Sequence, residues 1–306
     1  MTKVLIATVK PFAPVAIKGI NDILNDAGFE MKLLEKYPDQ SELIKSASDV
    51  DALIIRSDII DKEVIDAAKN LKIVVRAGAG YDNVDLKAAS EKGIVVMNTP
   101  GQNANAVAEL AIGMMIYLNR NLYIGTAGTE LREKTLGIHA YGNVGKLIGT
   151  IAKGIGMKVH AYDPYIEKAA IEKNGIICEE DVKNLYKKCQ YVVVTLPAND
   201  ETKESINYDL LSLMPKGATL VNPARKEIIS EKSLVRMFED REDFRYISDV
   251  TPDCKDEISS KYEGRYFFTP KKMGAQTAEA NINAGLAAAR QIVKFIKEGD
   301  KTFQVN

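Results

Sequence analysis

Residues 140–145 of this 306-residue chain read Ala-Tyr-Gly-Asn-Val-Gly, a G-x-G-x-x-G pattern with alanine in its first place. Such a turn does its chemistry through the backbone. Gly142 would let the main chain approach a pyrophosphate, and Gly145 would let the following helix pack close on the preceding strand. The N–H groups of the helix N-terminus would hold the phosphates. A tight strand-to-helix turn is the structural alternative. Asp163 lies 18 residues beyond Gly145 and closes the next apolar run, Lys158–Tyr162. A carboxylate there accepts hydrogen bonds from both ribose hydroxyls of NAD and repels the 2′-phosphate of NADP. No arginine follows it, only Pro164 and Tyr165. Tyr141, Gly142, Gly145 and Asp163 are candidate cofactor residues from this pattern, and NAD is the expected cofactor.

A second set of residues suits an anionic substrate. Arg56-Ser57 closes one predicted strand and Arg76 the next. Ligands of open α/β sheets bind beyond the C-terminal strand ends, and a guanidinium fork donates two parallel hydrogen bonds to phosphate or carboxylate. Surface ion pairing is the competing role for both arginines. Successive N–H groups of Gly78-Ala79-Gly80 would form a nest for a carboxylate, with a plain turn as the competing reading.

The elements that must position these residues alternate along the whole chain. Strands are expected at Val4–Val9, Met31–Leu34, Ala52–Arg56, Ile73–Arg76 and Ile94–Asn98. A second series is expected at Leu136–Ala140, Lys158–Tyr162, Tyr191–Leu196, Thr219–Val221, Tyr246–Val250 and Tyr266–Thr269. Helical patterns lie between them, including Ala13–Ala27, Lys62–Lys69, residues 103–119 and Ala278–Lys297. Alternating strands and helices imply βαβ units and parallel sheets covered on both faces. Eleven strands exceed one comfortable sheet, so the expected fold is α/β with two doubly wound domains, flavodoxin-like and Rossmann-like. Residues 98–101, Asn-Thr-Pro-Gly, mark the boundary. Residues 1–99 and 281–306 are expected to form a discontinuous substrate-binding domain, and residues 100–280 the NAD-binding domain. The tail Phe303–Asn306 is read without a strand partner.

Composition narrows the function further. The formal net charge of −1 provides no basic field for nucleic acid or an anionic membrane. Cys178, Cys189 and Cys254 lack paired spacing, which argues against structural zinc and a disulfide scaffold and fits a reducing cytosol. The run Val4–Val9 is too short for a signal segment. The longest apolar stretch, Ala104–Leu118, contains Asn105 and Glu109 and reads as a buried helix rather than a membrane span.

Several segments together resemble the D-2-hydroxyacid dehydrogenases, and within them the branch that oxidises 3-phosphoglycerate. Residues 76–85, Arg-Ala-Gly-Ala-Gly-Tyr-Asp-Asn-Val-Asp, resemble the family's substrate-domain loop. Residues 96–101 leading to Val107-Ala108-Glu109 resemble its crossover, and Leu136–Gly145 its nucleotide loop. Asn222-Pro223-Ala224-Arg225, Asp249-Val250 and Thr269-Pro270 resemble its later landmarks, in family order. The resemblance implies an active site in an interdomain cleft and a homodimer built through the cofactor domain. It puts Asn143, Val144 and Asp163 on NAD, Thr195 and Pro197 near the adenosine half, and Ala224 and Asp249 near the nicotinamide. It puts the substrate phosphate at Arg56-Ser57. Hydride transfer from 3-phosphoglycerate to NAD, the first step of serine biosynthesis, is the implied reaction. Since the sequence ends at Asn306, the resemblance is to the short form, with no feedback inhibition through a serine-binding domain.

The catalytic pattern departs from the family. Arg225 matches the arginine that polarises the substrate carbonyl. Lys272 stands where a histidine is expected, with Lys271 as a one-residue insertion, and Cys254 stands where its glutamate partner is expected. The only histidines, His139 and His160, fall inside predicted strands and read as packing residues. Either the site is inactive or Lys272 replaces the His–Glu pair as acid and base. Burial beside Arg225 would push its pKa toward neutrality, and Lys226, where the family has glycine, would add to this if it points inward. Rival readings are a hydroxypyruvate or glyoxylate reductase and an inactive NAD(H)-sensing module.

Overall fold

Short β-branched runs with both faces apolar need helices on both sides, and the computed structural model, which describes residues 1–306, arranges them so in two parallel sheets. The chain divides into two compact units, Met1–Asn103 with Gln276–Asn306, and Ala104–Ala275.

Unit 1 contains β1 (Lys3–Thr8), β2 (Glu30–Glu35), β3 (Ala52–Ile55), β4 (Ile73–Arg76) and β5 (Val95–Asn98), in the order β2-β1-β3-β4-β5. Its helices α1 (Pro14–Asp26), α2 (Gln40–Ala47), α3 (Lys62–Ala67) and α4 (Leu86–Glu91) cross between them. Alternate residues of each strand serve opposite cores. Val4 and Ile6 pack on one side with Ile20 and Leu24, and Leu5 and Ala7 on the other with Leu43 and Val64. The order reverses between β1 and β3, the switch point at which open sheets bind ligands. The ends of these strands bring Pro11 and Arg56 together.

Unit 2 begins with α5 (Ala104–Asn119), whose apolar residues are buried on most of its circumference. Its strands are β6 (Thr135–His139), β7 (Lys158–Tyr162), β8 (Ile177–Cys178), β9 (Tyr191–Val194), β10 (Thr219–Asn222), β11 (Arg245–Ser248) and β12 (Tyr266–Phe268). They lie in the order β12-β11-β10-β9-β6-β7-β8, all parallel, with the switch between β6 and β9. The helices are α6 (Asn143–Gly154), α7 (Lys168–Glu172), α8 (Val182–Lys188), α9 (Tyr208–Leu211), α10 (Glu231–Asp240) and α11 (Lys255–Lys261). The last helix, α12 (Ala278–Glu298), returns to unit 1 and buries Ala284, Ala288 and Ile292 with Val4 and Ile6. No helix is long and apolar enough to cross a membrane.

Several strand and helix bounds shift by a residue or two from the sequence reading, and the following differences bear on the sheets and the site. A twelfth strand, β8, has two residues and is too short for any periodicity to reveal. Arg56 and Ala140, read as strand ends, lie just beyond β3 and β6. The C-terminal tail does find a strand partner. Gln304 bridges antiparallel to Met97, Val305 N donates to Val96 O at 2.9 Å, and the Asn306 side chain accepts from Val96 N at 2.8 Å. The open edge of β5 supplies backbone groups that need partners, and the tail satisfies them.

Candidate active site

In unit 1, Arg56 is partly buried and its guanidinium is largely engaged. Nη1 donates to Lys10 O at 2.9 Å and to Pro11 O at 3.1 Å, Nη2 donates to Asn281 Oδ1, and the group lies over the Phe12 ring. Two N–H groups remain, Nε and one on Nη2, as donors for an external anion. Burial pushes its pKa below the usual arginine value. Asp58, which the sequence reading passed over, braces this corner. Its Oδ1 accepts from Val9 N and the Tyr37 hydroxyl, both at 2.7 Å, and its Oδ2 from Arg56 N at 3.2 Å. Ser57 is exposed beside it.

Arg76 ends β4, and its Nε donates to Arg56 O at 3.0 Å. Its guanidinium covers Gly78, whose φ is +150°, and a Cβ there would overlap Arg76 Nη1. Only glycine permits both that backbone conformation and that approach. Gly78 N already donates to Arg76 O at 2.9 Å, so the nest is shorter than its sequence suggests. The N–H groups of Ala79 and Gly80 meet no protein acceptor. Asn98 Nδ2 holds Ala79 O at 2.6 Å, and Thr99 N holds Gly78 O at 2.9 Å. A surface depression beside β2, lined by Lys32, Leu33, Glu42 and Lys45, contains none of these residues.

In unit 2, the turn from β6 into α6 carries the dinucleotide pattern. Ala140 occupies the first glycine position with φ +81°. Its carbonyl accepts from Thr195 Oγ1 at 2.7 Å, so Thr195, expected at the adenosine half, ties the end of β9 to the turn. A Cβ at Gly145 would collide with Ala140 O, which is why the helix can approach the strand only with glycine there. A Cβ at Gly142 would meet open space, and no side chain caps α6. The N–H groups of Asn143, Val144 and Gly145 are thus open to an external acceptor. Tyr141 differs: its ring is 1% exposed in the core beneath α6, so only its backbone belongs to the turn. Asp163 Oδ2 accepts from Tyr141 N at 2.8 Å and Oδ1 from Tyr165 N at 2.9 Å, each oxygen keeping a lone pair. Pro197 is exposed beyond β9, and its carbonyl accepts from Thr202 Oγ1 at 2.5 Å.

Arg225 and Lys272 meet on one atom of unit 2. The Ala224 carbonyl accepts from Arg225 Nη1 at 3.1 Å and from Lys272 Nζ at 2.5 Å. Asn222, fully buried at the end of β10, shapes this turn: its Oδ1 accepts from Ala224 N at 3.0 Å and its Nδ2 donates to Arg225 O at 2.8 Å. The pKa of Lys272 is lowered to about 8, chiefly by burial and then by the Arg225 charge, with Asp249 and Glu227 acting the other way. Lys272 is nonetheless an exposed residue, and its bond to Ala224 O lies at the surface. Crowding by surrounding protein atoms and direct water contact coexist there, and the crowding governs the direction of the shift. Lys226 does not join the pair; it binds Asp253. Cys254 is the N-cap of α11, and burial with nearby Glu231 pushes its thiol up to about 12. Asp249 is fully buried, and its oxygens accept from Thr269 Oγ1, Met273 N and Gly274 N. His139 and His160 lie within β6 and β7, His139 against Tyr186 and His160 against Glu179. Burial pushes His139 down to about 4.

The chain is similar to known dehydrogenases over nearly its whole length. Residues 6–306 match the family described as D-isomer specific 2-hydroxyacid dehydrogenase, catalytic domain. The chain is 33% identical over 272 residues to the D-3-phosphoglycerate dehydrogenase of Methanocaldococcus jannaschii, covering 84% of this chain and 52% of that protein. It is 34% identical over 284 residues to the hydroxypyruvate reductase of Thermotoga maritima, covering 87% of this chain and 91% of that one. The crystal structure of NAD⁺-bound 3-phosphoglycerate dehydrogenase from Entamoeba histolytica superposes with a TM-score of 0.86 at 48% identity, over 100% of this chain and 98% of the other. The chain spans about half the length of several curated relatives that it matches.

Proposed function

The chain belongs to the D-isomer specific 2-hydroxyacid dehydrogenases, and from that premise we propose that it uses NAD to oxidise 3-phosphoglycerate to 3-phosphohydroxypyruvate. The observation that carries the reading is the meeting of Arg225 with a lysine of depressed pKa on the Ala224 carbonyl. A neutral amine that donates one N–H to that carbonyl keeps its lone pair for a substrate proton. The named relatives from M. jannaschii and E. histolytica support the choice of substrate.

The residues fit the cofactor: α6 offers uncapped N–H groups beside open space at Gly142, and Asp163, directly after β7, has lone pairs left for ribose hydroxyls. Gly142, Asn143, Val144 and Gly145 would hold the pyrophosphate, with Tyr141 contributing only backbone. Thr195, Pro197 and Ala224 would line the rest of the cofactor's path. NAD, when bound, supplies the hydride acceptor. Lys272 takes the proton of the C2 hydroxyl, and Arg225 stabilises the charge that develops on that oxygen. The N–H groups of Ala79 and Gly80 with Arg76 hold the carboxylate, while Ser57 and the remaining N–H groups of Arg56 hold the phosphate. A homodimer and a place at the entry to serine biosynthesis belong to the same reading.

Hydroxypyruvate or glyoxylate reduction is the second reading, favoured by the match to nearly the whole T. maritima enzyme. NADH formation in mildly alkaline solution, with a hydrazine trap, separates the two. Turnover of 3-phosphoglycerate well above that of glycerate supports the proposal, and the reverse preference refutes it. Tight NADH binding without turnover of either acid would make the chain a binding module.

A further inference from the structure

Lys272 stands on a stretch without helix or strand, between β12 and α12. A long, flexible amine on a loop needs something rigid to define its place. One side chain from another element does this. Asp249, directly after β11, is fully buried, and its Oδ1 accepts from Thr269 Oγ1 at 3.0 Å and from Met273 N at 2.8 Å. Its Oδ2 accepts from Gly274 N at 2.7 Å. Thr269 precedes the loop, and Met273 and Gly274 directly follow the lysine. One carboxylate therefore grips the loop on both sides of Lys272. A Cβ on residue 274 would lie 2.8 Å from Asp249 Oδ2, so glycine is what lets the main chain come this close.

Asp249 is itself referenced to the turn that carries Arg225. Its N–H donates to Asn222 O at 3.0 Å, and the Asn222 side chain fixes Ala224 and Arg225. The loop and the turn, whose side chains meet at Ala224 O, are thus both tied to the ends of β10 and β11. Three charge-assisted bonds to one buried carboxylate make a stiff anchor.

We propose that Asp249 is a positioning residue for proton transfer, setting the place of the Lys272 amine through the backbone of Met273 and Gly274. This rests on the reading of Lys272 as acid and base. The negative charge also opposes the effect of burial and Arg225 on the lysine. Its removal therefore both loosens the loop and moves the pH at which the lysine ionises to a lower value.

The test compares Asp249→Asn, Thr269→Val and Lys272→Ala with the wild type, by kinetics, NADH fluorescence titration and amide hydrogen exchange. Asparagine keeps the size of the side chain but replaces one acceptor oxygen with a donor. In Asp249→Asn the amides of Met273 and Gly274 should exchange at least about tenfold faster. Turnover should fall by about 10- to 100-fold, the loss expected from a misplaced catalytic group, and its pH midpoint should move down. NADH affinity should fall far less than turnover, and an unchanged far-UV circular dichroism spectrum verifies the fold. Thr269→Val, which removes one of the three bonds, should give a smaller fall in the same direction. If NADH affinity falls as far as turnover while exchange is unchanged, Asp249 is a cofactor ligand and the proposal fails. If turnover and exchange are both unchanged, the loop stands without Asp249 and the proposal fails. Wild-type turnover in Lys272→Ala removes the acid–base reading itself, and the proposal with it, a failure that this variant alone identifies.

Discussion

Oxidation should depend on a single ionisation near pH 8, with activity lost below it. The pKa of Lys272 is lowered from 10.5 to about 8 by burial and by Arg225. At pH 7 an ordinary lysine is deprotonated in about 1 molecule of 3,000, and one at about 8 in about 1 of 10, so the competent base is about 300-fold more abundant. The assay is kcat/KM for 3-phosphoglycerate at constant ionic strength from about pH 6 to about pH 10, which reports the free enzyme's ionisations. The expected profile climbs about tenfold per pH unit and flattens above about pH 8. Reduction of the keto acid needs the protonated amine and should show the mirror image, falling above that pH. Lys272→Arg cannot lose its proton and should abolish the ionisation, at a cost of about 10²–10⁴ in rate. A midpoint near that of an ordinary histidine, a climb that continues beyond about pH 10, or an unchanged profile in Lys272→Arg would refute the assignment.

Other expectations follow from single positions. Ala140 holds φ +81° at the first glycine position. A left-handed L-residue costs roughly 1–2 kcal/mol, and glycine's extra chain entropy returns about 0.5–1. Ala140→Gly should therefore stabilise unit 2 by about 0.5–1 kcal/mol, seen as a thermal transition raised by a few degrees; a lowered transition would show that the turn is unstrained. Arg56→Gln should raise the KM for 3-phosphoglycerate far more than that for glycerate, and equal effects would show that Arg56 only holds Lys10, Pro11 and Asn281. Lys272→Met should raise the melting temperature most below about pH 8. The folded pKa of this lysine lies below its unfolded value, so the unfolded chain binds more protons between about 8 and 10.5 and native stability rises with pH there. The advantage of methionine should shrink over that window, and an advantage independent of pH would attribute it to packing instead.

Strands were legible where a β-branched run was bounded on both sides. Lys158–Tyr162 and Ile73–Arg76 have the bounds that the residues suggest, because polar or turn-forming residues stop each run. The two-residue β8 and the pairing of the tail with β5 were not legible, since both depend on an existing sheet edge rather than on local pattern. In the site, backbone geometry was readable because glycine reports it, as at Gly145 and Gly78. Side-chain partnership was not. Arg56 and Asn281 are 225 residues apart in sequence, and nothing local to either announces the other. Asp58 carried a faint signal, a carboxylate directly after Arg56-Ser57, but two of its three partners, Val9 and Tyr37, come from distant segments. Tyr141 shows the opposite limit: a residue inside a motif can turn its side chain into the core while its backbone serves the turn.

Lysine at 272 and cysteine at 254 can be understood as one change rather than two losses. A histidine general base is helped by a carboxylate that orients its ring and supports the imidazolium. A carboxylate paired with lysine would instead hold the ammonium and raise its pKa, moving it away from the range in which it can act as a base. Here the segment that follows β11 offers no such partner. Cys254 is a neutral thiol, Asp253 binds Lys226, and Glu231 accepts from the N–H groups of Asp253 and Cys254 at 2.7 and 2.8 Å. The carboxylate nearest to the problem in its effect, Asp249, is engaged with backbone and hydroxyl donors. The Ala224 carbonyl orients the amine in its place, and a neutral acceptor does so with less support for the ammonium than a carboxylate would give. A restored glutamate at 254, in a chain that keeps Lys272, should therefore slow oxidation near neutral pH and shift its pH midpoint upward. Faster oxidation in Cys254→Glu, or an unmoved midpoint with altered rate, would show that the two departures are independent.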